Sequence, residues 1–117
     1  MTQMSTFAKT IMEQKYSHVK GDGSLETWDE IAQRVAANVM GAVNAPKELV
    51  DSIQKIISER KFIPGGRYLY AAGRPFHQTN NCLTLSVEDT REGWAELLRK
   101  SSMALMTGAG LGIDYSK

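Results

Sequence analysis

Two short runs near the carboxyl end, "NCLTLSV" (81–87) and "LGIDYS" (111–116), constrain the fold more than any other part of this chain. In the first, Cys82, Thr84 and Ser86 alternate with Leu83, Leu85 and Val87, the period-two pattern of a β-strand with two unlike faces. The segment between the runs opens with Asp89 and Glu92 at capping-box spacing. It then carries Trp94, Leu97, Leu98 and Leu105 on one helical side. A strand–helix–strand with so long a connection can be parallel, because a crossover takes about a dozen residues or more. Two parallel strands do not make a stable sheet alone, since parallel sheets are normally covered on both faces. The pattern therefore predicts an α/β structure that is unfinished at its carboxyl end. On this reading the chain is a part.

Upstream the periodicity is helical. Thr6 to Tyr16 reads as a short polar helix, broken by "GDG" (21–23), since glycine costs about 1 kcal/mol in a helix interior. Thr27 and Glu30 form a second capping box ahead of a stripe of Trp28, Ile31, Val35, Val39 and Ala42. Asn44 and Pro46 mark a stop and a restart. Leu49, Ile53, Ile56 and Ile57 then make the stripe of another helix, which ends near "ERK" (59–61). The two stripes predict an antiparallel helical pair that buries them as core. From Phe62 the character changes, and "FIPGGRYLYAAGRP" (62–75) reads as a connection with two tight turns.

Several functions are excluded by what is missing. The 117 residues have the size of one ordinary domain, and a net charge of +1 gives no large field of either sign, so it argues neither for nor against a polyanionic partner such as a nucleic acid. No apolar run reaches the roughly 18–20 residues that cross a bilayer, and "MTQMSTFAKTIMEQ" lacks the layout of a secretory signal. A reducing cytoplasm is the expected setting. One cysteine makes neither an internal disulfide nor a closed zinc site. His18 and His77 have no partners at metal-ligand spacing and read as surface-loop residues.

The glycines and the cysteine each allow two readings. Gly108, Gly110 and Gly112 follow a helix and precede a strand, the wrong order for a dinucleotide fingerprint, and no Gly-Lys-Ser/Thr is present. Gly108 suits a left-handed helix cap. Gly110 and Gly112 exceed what a cap requires and would let a substrate approach the backbone closely. Arg67 and Arg74 flank the aromatic Gly-rich turn, where they either meet phosphate or are simply solvated. Cys82 is either a small buried apolar residue or a thiol lining a cleft on the polar side of its strand.

Taken together, "FIPGGRYLYAAGRPFHQTNNCLTLSV", "KSSMALMTGAGLGIDYS" and the earlier "KYS" and "ETWDEIAQRVA" resemble the catalytic chain of ribonucleotide reductases. The closest likeness is to the adenosylcobalamin-dependent (class II) branch. The resemblance spans most of residues 10–117 and rests on the ordered combination of motifs. It implies an amino-terminal helical region (1–61), then the start of a ten-stranded α/β barrel (62–117). By position Cys82 matches one of two cysteines that reduce the substrate and become a disulfide in each turnover. Asn81 and Cys82 match a pair lining the substrate site, and Gly110 matches a substrate-contacting backbone position. Gly66 falls where many relatives have a substrate-contacting serine, so only its backbone is left to make that contact.

The resemblance also implies what must lie elsewhere. The radical cysteine, the second redox cysteine, the acid–base Asn and Glu, and the sites for phosphates, effector and adenosylcobalamin have no counterpart in these residues. The expected partners are a ribonucleoside di- or triphosphate, the remaining carboxyl-terminal part of the reductase, and a thioredoxin-type or dithiol reductant. Neither a membrane nor direct nucleic-acid binding is expected. The chain would be inactive alone. A different class of reading is a small non-catalytic helical adaptor whose glycines and cysteine are structural; it predicts cooperative folding of the chain by itself and no nucleotide binding.

Overall fold

The computed structural model describes residues 4–75 and 78–116. Contacts divide the chain into two compact units, Met1–His77 and Gln78–Lys117.

The first unit is helical, with α1 (Thr6–Lys15), α2 (Trp28–Gly41), α3 (Lys47–Ser58) and α4 (Gly66–Ala71). The capping box before α2 forms as expected. Thr27 Oγ1 accepts from the Glu30 amide at 3.3 Å, and Glu30 Oε2 accepts from the Thr27 amide at 2.7 Å. That backbone N–H, followed by the Lys20 ammonium, holds the Glu30 carboxyl down at about 2. Helices α2 and α3 run antiparallel, because the start of one meets the end of the other. Trp28 Nε1 donates to the Ile57 carbonyl at 3.0 Å, and the Ser58 hydroxyl donates to the Asp29 carboxylate.

The core of this unit gathers Met12, Ile31, Ala32, Val35, Ile57, Leu69 and Ala72, with Tyr16, Trp28, Val39 and Ile53 packed against it. Three members of the expected stripes fall outside it, among them Ile56, which is half-buried. Ala42 is the exposed C-cap of α2, and Leu49, in the first turn of α3, is 45% exposed. The buried face of α2 is also wider than its stripe, because Ala32 and Ala36 are fully buried beside Ile31 and Val35.

The segment from Phe62 is more than a connection with two turns. Starting at the second residue of the Gly65–Gly66 pair, six residues form α4, which ends where Gly73 takes a φ of +79°. Leu69 and Ala72 anchor this stretch in the helical core. Another feature absent from the sequence reading ties the unit together. Arg34 Nε and Nη2 each lie 2.8 Å from a Glu26 carboxylate oxygen, and the guanidinium also donates to the carbonyls of Ala72 (2.7 Å), Leu69 (3.0 Å) and Tyr16 (3.3 Å). One largely buried but water-accessible side chain thus closes the ends of α1 and α4 onto α2.

The second unit is β1 (Cys82–Ser86), α5 (Arg91–Met106) and β2 (Gly110–Asp114), and its strands pair in parallel, as the connection length allows. The register sets Cys82 beside Gly110, Thr84 beside Gly112 and Ser86 beside Asp114. Leu83, Leu85, Leu111 and Ile113 are half-buried on one face of the pair, while the opposite face is exposed at every position.

Two details of α5 depart from expectation. Its cap is Thr90, whose Oγ1 accepts from the Gly93 amide at 3.0 Å, in place of an Asp89–Glu92 box. The third helical position is therefore a glycine, which has no side chain to reach back. Its buried line is Leu97, flanked by half-buried Gly93, Ser101 and Ala104. Trp94 (51%), Leu98 (70%) and Leu105 (57%) are instead exposed. The helix terminates at Gly108 with a φ of +77°, the left-handed cap anticipated there.

Gly93 is held to glycine by its surroundings. A Cβ there would sit 2.5 Å from the Glu88 carbonyl oxygen and 3.0 Å from Thr90 Oγ1, a backbone clash that no rotamer relieves. Gly93→Ala is expected to destabilise the start of α5 by about 1–3 kcal/mol, the usual cost of overpacking. Hydrogen exchange of the amides from Arg91 to Leu98 should accelerate correspondingly; unchanged protection would refute the clash. Among the described residues, no helix is long and apolar enough to cross a membrane, and no His/Cys/Asp/Glu cluster could hold a metal ion.

Candidate functional site

Cys82 opens β1 as an exposed free thiol. Of the two readings open for it, buried apolar filler does not describe its place. Strand alternation turns it to the same side as Thr84 and Ser86, and the register adds Gly110, Gly112 and Asp114 from β2. The opposite face is the one that α5 helps to cover. The face carrying the thiol is left open, with a sulfur, two hydroxyls and a carboxylate arranged around two glycines.

Asn81, Cys82 and Gly110 come together at the head of this face. The Gly110 amide donates to the Asn81 carbonyl at 2.6 Å, which fixes the first rung of the pair. A Cβ at Gly110 would lie 3.5 Å from that carbonyl oxygen and 3.7 Å from Cys82 Sγ, ordinary contact distances. Alanine would therefore fit, and what glycine preserves is free space beside the sulfur. At Gly112 an added Cβ would meet nothing within 4 Å, so the open lane continues past Thr84. At both glycines the backbone is therefore left uncovered.

Gly66 belongs to the helical unit, as the first residue of α4. A Cβ there would lie 3.3 Å from Tyr16 Oη, so a phenol already occupies the space over its Cα. Arg74 is not merely solvated: its guanidinium lies 4.2 Å over the Tyr70 ring and donates to the Tyr70 carbonyl at 3.0 Å and to His18 Nε2 at 3.1 Å. His18 is thus bound into the turn around Tyr70. His77 lies outside the described residues.

Asp114 joins this face only through the strand register, which no signal along the chain reveals. Thr84 and Ser86, by contrast, are assigned to the polar side by alternation alone. Chemically, the arrangement offers a thiol reachable by a small molecule or by another thiol, with backbone and hydroxyl groups alongside.

Residues 2–77 match the family model described as the all-alpha domain of ribonucleotide reductase. Over 114 residues, covering 91% of the chain, it is 31% identical to a Mycobacterium phage D29 protein named for adenosylcobalamin-dependent ribonucleoside-triphosphate reductase. A Dictyostelium discoideum protein named for the same activity is 29% identical over 127 residues, covering 89% of the chain. The chain spans 15% and 16% of the lengths of these two relatives.

Proposed function

The chain belongs to the ribonucleotide reductase family, and from that membership we propose that it supplies the amino-terminal helical region and the opening strand–helix–strand of a ten-stranded catalytic barrel in an adenosylcobalamin-dependent ribonucleotide reductase. The observation that carries the reading is the exposed Cys82 thiol on the open face of a parallel strand pair, with Gly110 leaving its flank clear. Cys82 is one of a redox pair whose second thiol comes from the remaining barrel. A ribonucleoside phosphate lies along the open face, against Asn81, Cys82 and the Gly110 backbone; the resemblance alone implies that Gly66 would contribute a backbone contact in the assembled enzyme.

The balance of the reaction follows from the groups involved. The 2′ C–O bond of the ribose breaks and a C–H bond forms, while the hydroxyl leaves as water. Two thiols lose two electrons and two protons and join as a disulfide. An external thiol of thioredoxin type, or a small dithiol, then attacks that disulfide as a thiolate and restores the pair. An exposed strand thiol suits such an exchange, which proceeds through a mixed disulfide, and a reducing cytoplasm suits the thiol.

Adenosylcobalamin would supply the radical chemistry in the assembled enzyme. The described residues do not fit it. The ring nitrogen Nε2 of His18 is engaged by Arg74, and three grooves among the described residues of the helical unit, about 320–410 Å³ each, are too small for a corrin with its nucleotide loop. Its site belongs to the remaining barrel.

Co-expression of the chain with the downstream barrel sequence should give cobalamin-dependent formation of deoxynucleotides, and failure of a folded assembly to form them would sink the proposal. Gly110→Ala provides a finer test. Because a methyl fits without clash, the assembled enzyme should stay folded, while the nucleotide KM rises and alkylation of Cys82 slows. A variant with unaltered KM and unaltered thiol reactivity would show that the space beside the sulfur is not used.

A further inference from the structure

Resting on the reading above that substrate approaches Gly66, we infer that Tyr16 is a further residue of that substrate site, its phenol supplying the side-chain hydrogen bond that a glycine cannot. Residue 66 offers a ligand nothing but backbone. The space over its Cα is nevertheless filled, for a Cβ built there would lie 3.3 Å from Tyr16 Oη, 3.4 Å from Cε1 and 3.7 Å from Cζ. The hydroxyl end of the ring therefore stands next to where the side chain of residue 66 would begin. The hydroxyl that residue 66 does not carry is provided from the end of α1.

The phenol is placed firmly and is chemically unspent. Tyr16 packs against the helical core, its amide donates to the Met12 carbonyl at 2.9 Å, and its carbonyl accepts from Arg34 Nη2 at 3.3 Å. Its hydroxyl, by contrast, has no hydrogen-bond partner among the described residues. Tyr16 and Gly66 line one groove of about 360 Å³ together with Ile63, Pro64 and Leu69. A mostly apolar groove with a few directed polar groups is the ordinary make-up of a small-molecule site. A phenol can donate to a phosphate oxygen or accept from a ribose hydroxyl, so the ligand class is a ribonucleoside phosphate.

The test uses the chain assembled with the downstream barrel. Tyr16→Phe should raise the nucleotide KM roughly 2- to 10-fold, the range of one neutral hydrogen bond, with kcat and melting temperature unchanged. In Tyr16→Phe/Gly66→Ser the serine hydroxyl takes over the hydrogen bond and should restore KM. Unchanged KM in Tyr16→Phe, or a lowered melting temperature with no restoration by Gly66→Ser, overturns the assignment. Cys82→Ser keeps the two readings apart. If it abolishes turnover while Tyr16→Phe is silent, only the role of Tyr16 falls; if it leaves turnover intact, the proposed function itself falls.

Discussion

Cys82→Ser is expected to reduce multiple turnover of the assembled reductase to background while leaving its fold and nucleotide affinity nearly unaltered. The hydroxyl is close in size to the thiol, and Cys82 is exposed, so the core packing is untouched. What disappears is the capacity to form and reopen a disulfide, which no alcohol replaces. The loss should be insensitive to the concentration of added dithiol, because the defect lies in the internal pair and not in its reductant. Deoxynucleotide formed per enzyme over many cycles is the measurement. Full activity with a dithiol reductant would remove Cys82 from the redox chemistry. An adaptor with a structural cysteine predicts the opposite throughout: the chain folds cooperatively alone, binds no nucleotide, and tolerates serine.

The parts of this fold legible in the sequence are those decided within a few residues. Thr27 with Glu30 is a local exchange of hydrogen bonds, and Gly108 is a local need for positive φ, so both are readable. Parallel pairing of β1 and β2 is permitted by the length of the connection between them. The sequence misleads where two local signals compete. Gly-Gly at the start of α4 and Gly-Arg-Pro after it punctuate so strongly that the stretch reads as turn. Asp89 and Thr90 are both good caps, and the choice of Thr90 brings Gly93 under the Glu88 carbonyl, where only glycine fits. Other features need tertiary structure. Nothing along the chain pairs Glu26 with Arg34, sets Tyr16 over Gly66, or brings Asp114 beside Ser86. For Cys82, alternation names its face, while the exposure of that face comes from the packing of α5 on the other side.

Arg34→Met should destabilise the helical unit by about 2–4 kcal/mol, somewhat less than the roughly 3–5 kcal/mol for one partner of a fully buried ion pair, because this pair is part-buried. The side chains of Arg34 and Glu26 are only 14% and 11% exposed, so water replaces little of what is removed. Methionine keeps most of the volume but strands the Glu26 carboxylate with the His18 amide, and it removes the donor from the carbonyls of Ala72, Leu69 and Tyr16. Adding Glu26→Gln should return part of the loss by removing the uncompensated charge. The acid response gives an independent check of sign. Burial is the largest single influence on the Glu26 carboxyl and pushes its pKa up. The Arg34 guanidinium and the His18 amide together outweigh it and hold the carboxyl below its ordinary 4.5. A pKa depressed on folding contributes stability above the ordinary value, lost as pH falls through it toward the folded one. Glu30 and Glu96, both held at about 2, act in the same direction, so the comparison with Glu26→Gln isolates the Glu26 share. In Arg34→Met the sign reverses, because burial without the guanidinium raises the carboxyl and protonation then relieves it. Melting temperatures followed from pH 7 to pH 3 should converge between wild type and Arg34→Met as the solution becomes more acid. Parallel curves would show that the carboxylate is not held by Arg34.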